Sequence, residues 1–185
     1  MNKTVTFKDK TSFTLSKPAL KEYFTLYDLE FENRHLPLLE EVLKHITYPS
    51  KEDANKFFKK YPGSLRIISS AISEMCGGKI NVDVKEENED SLIYLIEGKN
   101  YSFKRLSLSQ WDLIWEEISQ NKFLKSQRAY SFCMSCVLDN SSEELGTGKK
   151  NLELLFEQYP ALVNMIPDKI VKACTMWVEE EQGKF

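Results

Sequence analysis

FFKKYPGSLRIISSAISEMC at residues 57–76 and LFEQYPALVNMIPDKIVKAC at residues 155–174 align without a gap at an offset of 98. The match sets Phe58 on Phe156, Tyr61-Pro62 on Tyr159-Pro160, Leu65 on Val163, Ile68 on Ile166, Ile72 on Ile170 and Cys76 on Cys174. A self-match at fixed spacing is the signature of an internal repeat, and it governs how every other motif is read. Upstream of these blocks, Leu36, Leu38, Leu39, Val42 and Leu43 fit Tyr130, Phe132, Cys133, Cys136 and Val137 at an offset of 94. Near the start, Val5, Phe7, Phe13 and Leu15 alternate around the polar turn 8–12, the period of a β-hairpin. Pro18 follows, then Leu20, Tyr23, Leu26 and Tyr27 at helical spacing. Eighty-eight residues on, Ile93, Leu95, Tyr101 and Phe103 flank the turn 97–100, and Leu108, Trp111, Ile114 and Trp115 follow at helical spacing. The offsets rise from 88 through 94 to 98, as insertions in a second copy would make them, one in the polar segment 139–150.

These patterns predict an α+β, helix-dominated fold of two related halves, each a β-hairpin followed by several helices, sharing one core. Residues 1–90 form the first unit and 91–185 the second, with a loop insertion near 139–150. Pro62 and Pro160 are expected to open helices. Pro167 and its counterpart, near Ser69-Ser70, are expected to break or kink them. Gly77-Gly78 reads as a helix stop. Residues 79–85 alternate like a strand, which the acidic turn 86–90 joins to 92–97.

Composition narrows the function classes. The 185 residues carry 25 Lys+Arg against 28 Asp+Glu, a net charge of −3, which disfavours the basic field of a general nucleic-acid binder. That balance is even along the chain, −1 over residues 1–90 and −2 over the remainder, so neither half is a charged arm. Eleven Phe, eight Tyr and three Trp supply the bulk of a core. No apolar run approaches the roughly 20 residues that cross a bilayer, and the opening MNKTVTFKDK shows no secretory signal. Four Cys in such a chain point to free thiols in a reducing compartment. Only two His leave little room for His-dependent catalysis.

Each motif with chemical potential has a plainer explanation. Cys133-Met-Ser-Cys136 offers two soft ligands, but a zinc site needs four and no second CxxC or HxxxH accompanies it. In the repeat, both cysteines fall on core positions, where free Cys behaves as a small hydrophobe. A metal- or redox-active protein using Cys133 and Cys136 is the alternative reading. Residues 145–150, LGTGKK, echo a phosphate-binding loop but lack its first Gly and its Ser/Thr. His45 stands four residues after Glu41 on one helix face, the spacing of a surface pair. Glu86–Asp90 and residues 179–181 read as solvated charge runs. Lys56-Phe-Phe-Lys-Lys-Tyr61 and Tyr101-Ser-Phe-Lys-Arg105 interleave rings with cations, as single-strand binders do. The copy of the first has lost its cations, so nucleic-acid binding, through Lys59, Lys60, Lys104 and Arg105, ranks as a second alternative. Aromatic residues remain: Tyr23, Tyr27, Trp111, Trp115 and Trp177 are the interface candidates, because Trp and Tyr dominate protein–protein hot spots.

The opening VTFKDKTSFTLSKPALKEYFTL resembles the start of tailed-bacteriophage tail-assembly chaperones and baseplate hub assembly proteins. Val5, Phe7, Asp9, Phe13, Leu15, Pro18, Leu20, Lys21 and Glu22 carry the likeness, over about 25 of the 185 residues. Lys10 stands in the turn where Gly is usual. The resemblance implies a non-enzymatic tail or baseplate assembly protein without catalytic residues or cofactor. Its partners would be phage structural or assembly proteins; the chain's own charge and hydropathy argue against a membrane and disfavour nucleic acid. Its place would be the cytoplasm of the infected host cell or the virion.

Overall fold

A computed structural model describes residues 2–87, 89–121, 124–138 and 148–174. The fold is α+β and helix-dominated. Strands β1 (Asn2–Thr6) and β2 (Ser12–Ser16) precede helices α1 (Leu20–Phe31) and α2 (His35–Lys44). Then come β3 (Ile46–Tyr48), α3 (Lys51–Lys60) and α4 (Ser64–Met75). Strands β4 (Asp83–Glu87), β5 (Ser91–Ile96) and β6 (Lys99–Lys104) follow. Helices α5 (Leu108–Asn121), α6 (Ser126–Cys136), α7 (Lys149–Gln158) and α8 (Leu162–Ala173) complete the described chain. Among the described residues no helix is long and apolar enough to cross a membrane.

Both sheets are antiparallel, in the orders β1-β2-β3 and β4-β5-β6. The first hairpin pairs Val5 with Phe13 and Lys3 with Leu15, which puts Phe13 and Leu15 wholly inside. Its turn holds Lys10 at φ 69, the left-handed region that Gly enters without cost, and the Asp9 carboxylate accepts the Thr11 amide at 3.0 Å. The second hairpin closes through Glu97 and Gly98, at φ 49 and 76, the conformation of a type I′ turn. Leu92, Tyr94 and Ile96 of β5 are wholly buried beside Tyr101 and Phe103 of β6. Leu95, expected alongside Ile93, instead faces out at 38% exposure. Ile93, on the same face as Leu95, is buried at 7%, so that face of β5 is covered at one end and open at the other.

Local chemistry sets the helix starts. Ser50 accepts the Asp53 amide at 3.2 Å and donates its hydroxyl to the Asp53 carboxylate at 2.7 Å. At the start of α5 the Ser107 amide donates to Gln110 Oε1 at 3.0 Å and the Gln110 amide to Ser107 Oγ at 3.4 Å, a reciprocal capping box. The prolines correct two expectations. Pro62 and Pro160 sit in the turns ahead of α4 and α8, their carbonyls accepting the amides of Leu65 and Val163, each at 3.2 Å. Neither helix breaks: α4 passes through Ser69-Ser70, and α8 contains Pro167. The ring of Pro167 is buried, so packing offsets its lost hydrogen bond. The strand expected at 79–85 is displaced to Asp83–Glu87. Buried side chains from β2, β3, β5, β6 and every helix but α5 form one cluster, from Phe13 and Val42 to Phe156 and Ile170.

Candidate interaction surfaces

Helix α1 carries Tyr23, Tyr27 and Phe31 at spacings of four, so their rings lie in one stripe. The centroids are 6.1 Å apart for Tyr23 and Tyr27, and 4.5 Å for Tyr27 and Phe31, which stack. The stripe walls a cleft of about 440 Å³, with Ser73, Asn164 and Asp168 among its polar lining. Tyr23 is nevertheless 3% exposed, its hydroxyl 3.3 Å from that of Ser73. Burial raises its phenol well above the usual range and pushes Tyr27 up to about 12. Tyr23 is therefore core, and Tyr27 is half-buried.

The opposite edge of α1 packs on α6. Asp28 Oδ1 accepts both the backbone amide of Ser126 at 3.0 Å and its hydroxyl at 2.8 Å. The Ser126 hydroxyl also meets the side-chain amide of Asn164 at 3.2 Å. Asp28 thus satisfies the first turn of α6, whose own N-cap, Lys125, supplies no side-chain bond. Desolvation raises the Asp28 carboxyl despite these bonds. Lys125 pairs with Glu32 at 3.0 Å, and the rings of Phe24 and Tyr130 lie 6.1 Å apart.

Two apolar surfaces are open. Between α2, α3 and α4 runs a groove of about 570 Å³, floored by Leu39, Phe58 and Leu65 and rimmed by His35, Lys59 and Arg66. Leu36 stands on its lip at 77% exposure. On α5, Leu108 is 77%, Leu113 65% and Trp115 55% exposed, and Trp111 stacks on Trp115 at 6.0 Å and 10°. Trp115 is thus outside and Trp111 half-buried; Trp177 lies outside the described residues. The sequence reading missed Leu36, Leu108 and Leu113 as surface groups. Leu36 carried a signal, since it stands off the stripe of Leu38 and Val42 that α2 buries.

Three of the four thiols are buried, and Cys174 is half-buried. Cys133 and Cys136 lie on α6, 0% and 1% exposed, and burial pushes both thiols up, away from the reactive thiolate. Cys76 is pushed up to about 12 for the same reason. Among the described residues no group of three His, Cys, Asp or Glu side chains could hold a metal ion. His45 corrects the expected surface pair: it is 4% exposed, and Glu41 bonds Lys44 at 2.5 Å instead. The helix ends at His45, which turns its ring into the core ahead of β3 and its carbonyl to the Ser16 amide at 2.8 Å. Its Nε2 finds no hydrogen-bond partner among the described residues, and burial lowers its pKa.

The basic-aromatic stretches are engaged in packing. Phe57 and Phe58 ring Phe13 at 5.0 and 5.5 Å, and Lys56 pairs with Glu52 at 2.7 Å. Arg105 reaches the carbonyl of Ala173 at 3.2 Å and Glu87 at 3.4 Å. Residues 139–147 and the 179–181 run lie outside the described residues, while Gly148 caps α7 and Lys149-Lys150 of the LGTGKK stretch begin it. Compared with family models, curated proteins and solved structures, the chain matches none.

Proposed function

We propose that this chain is a non-enzymatic protein-interaction module built from two related halves, residues 1–90 and 91–185. The observation that carries the reading is the pair of open apolar surfaces, the groove edged by Leu36 and the α5 face bearing Leu108 and Trp115. Large side chains left in water at such exposure, close together and rimmed by charge, are what a docking surface requires. Tail or baseplate assembly in a bacteriophage is the setting that the resemblance of residues 5–22 implies.

Backbone geometry supports the related halves. The residues ending α3 and α7, Tyr61 and Tyr159, have φ/ψ of −130/69 and −135/74. Those opening α4 and α8, Gly63 and Ala161, have −62/−21 and −64/−24. The residues ending them, Cys76 and Cys174, have −88/8 and −90/0. After α2, Ile46 pairs with Leu15; after α6, Val137 pairs with Phe103, the residue 88 beyond Leu15. This sets α2 against α6 at an offset of 91 rather than 94. Buried Leu38, Val42, His45 and Ile46 then match buried Ala129, Cys133, Cys136 and Val137. At this offset Cys133 and Cys136 match buried Val42 and His45, whereas at 94 they match half-buried Leu39 and buried Val42.

The test is site-specific photocrosslinking in the cells that make the protein, with the photoreactive group at Trp115, at Leu36 and, as control, at Lys56. Protein adducts at the first two positions and not the third are expected. Their absence at both, or stoichiometric zinc held by Cys133 and Cys136 in the purified protein, would overturn the reading.

A further inference from the structure

We propose that the partner of these surfaces is a second copy of the chain, docked head to tail, with α5 of one copy in the α2–α4 groove of the next. The proposal rests on the related halves and deepens that reading by naming the occupant.

Within one chain the halves already meet through one such contact. Helix α1 lies on the corner of α6 and α8, where Asp28 holds Ser126 and Ser126 holds Asn164. The Cys76 carbonyl accepts the Ala161 amide at 2.9 Å beside it. Carried across the halves by offsets of 88, 91 and 98, α1 becomes α5, α6 becomes α2 and α8 becomes α4. The corresponding contact therefore joins α5 to the α2–α4 groove.

That second contact is not made within the chain. The groove is lined from α1, α2, α3, α4 and the turn before α4, with no residue of α5. Burial records the difference position by position. Pro160 and Ala161 are buried beneath the first half, while Pro62 and Gly63 are exposed. Met165 is half-buried, and its counterpart Ile67 is 52% exposed. Tyr27 is half-buried, and its counterpart Trp115 is 55% exposed. A twofold relation between halves would have used both contacts. A head-to-tail relation uses one and leaves a helix at one end and a groove at the other, which is a heterologous interface waiting for another copy.

Charge agrees with this occupant. Asp28, Ser126 and Asn164 of the internal contact become Glu116, His35 and Arg66 of the external one. A neutral hydroxyl and amide facing the acid are thus replaced by an imidazole and a guanidinium. The exposed face of α5 carries Asp112 and Glu116 one turn apart, beside Leu108 and Trp115. The groove offers His35, Lys59 and Arg66 around an apolar floor. Its one acid, Glu30, already takes the Ser69 hydroxyl at 2.6 Å.

Sedimentation velocity on the whole protein tests the proposal, using Trp115→Asp to block the helix and Leu36→Asp to block the groove. Both positions are exposed, and Glu116→Arg, also exposed, gives a second helix-face variant if the first misfolds. The wild type is expected to gain mass with concentration beyond a dimer. Each variant should be monomeric, its self-affinity weakened on the order of 30-fold or more. A 1:1 mixture of Trp115→Asp and Leu36→Asp should stop at the dimer, because only one intact helix and one intact groove remain. A monomeric wild type, variants that assemble like the wild type, or a mixture that stays monomeric would each overturn it. If the wild type is monomeric yet Trp115 crosslinks to another protein, this inference fails and the interaction-module reading stands.

Discussion

Gly77 has its backbone pressed against Tyr159: a Cβ on Gly77 would stand 2.8 Å from the Tyr159 Cβ. The glycine ends α4 at φ 94, where the Gly78 amide reaches back to the Ser73 carbonyl at 2.9 Å. It is needed twice over, for the left-handed turn and for the close approach of the segment leading into α8.

Gly77→Ala is therefore expected to cost about 2–4 kcal/mol, from left-handed strain plus overpacking. Gly98→Ala, at φ 76 with open space around its Cβ position, carries only the strain, about 1 kcal/mol. Gly63→Ala, with ordinary φ and open space, should stay within about 0.5 kcal/mol of the wild type. Urea denaturation of the three variants checks the order.

Asp28 holds the start of α6 from a different helix, so its loss strands the Ser126 amide and leaves the Ser126 hydroxyl with Asn164 alone. Asp28→Ala should destabilise by about 1–3 kcal/mol, the cost of leaving a buried donor unsatisfied. Asp28→Asn keeps an acceptor oxygen and should recover most of that. Equal losses in the two variants would show that charge, not acceptance, is what matters there.

His45 makes stability pH-dependent. Its folded-state pKa is depressed below the ordinary 6.5 by burial, with Glu22 and Glu41 opposing and Lys44 and Lys51 assisting. The unfolded chain therefore binds the proton more readily than the folded one. The contribution is full above pH 6.5 and is lost as pH falls from there through the lowered folded value. Urea midpoints should drop between about pH 7.5 and about pH 5.5. In His45→Gln that drop should shrink, and an unchanged drop would place its origin elsewhere.

The four free thiols should differ in reactivity with burial. Cys174, only half-buried, is expected to alkylate first in the native protein, well ahead of Cys76, Cys133 and Cys136. All four should react at once in denaturant. Peptide mass spectrometry after brief iodoacetamide treatment reads the order, and rapid labelling of Cys133 would contradict its place in the core.

Local pattern made much of this architecture legible. Alternation found both hairpins, and apolar spacing found α1 and α5, because these signals depend on near neighbours in the chain. Self-alignment placed α3 with α7 and α4 with α8, each pair equal in length at ten and twelve residues. Spacing alone does not choose the middle offset, since short amphipathic helices fit one another at several; under the proposed duplication the strand contacts of Ile46 and Val137 favour 91 over 94.

The sequence by itself determined the α+β class and most of the element order, though it held no sign of β3, which exists only by pairing with β2. Only the tertiary structure decided what those elements cover. Tyr23 and Trp111 stand at equivalent places on helices of the same apolar spacing, yet one is core and the other borders a bare surface. Burial is set by what another part of the chain brings alongside. Helix α1 has α6 against it, whereas the outward face of α5 has no described element over it, and no periodicity within either helix encodes that difference.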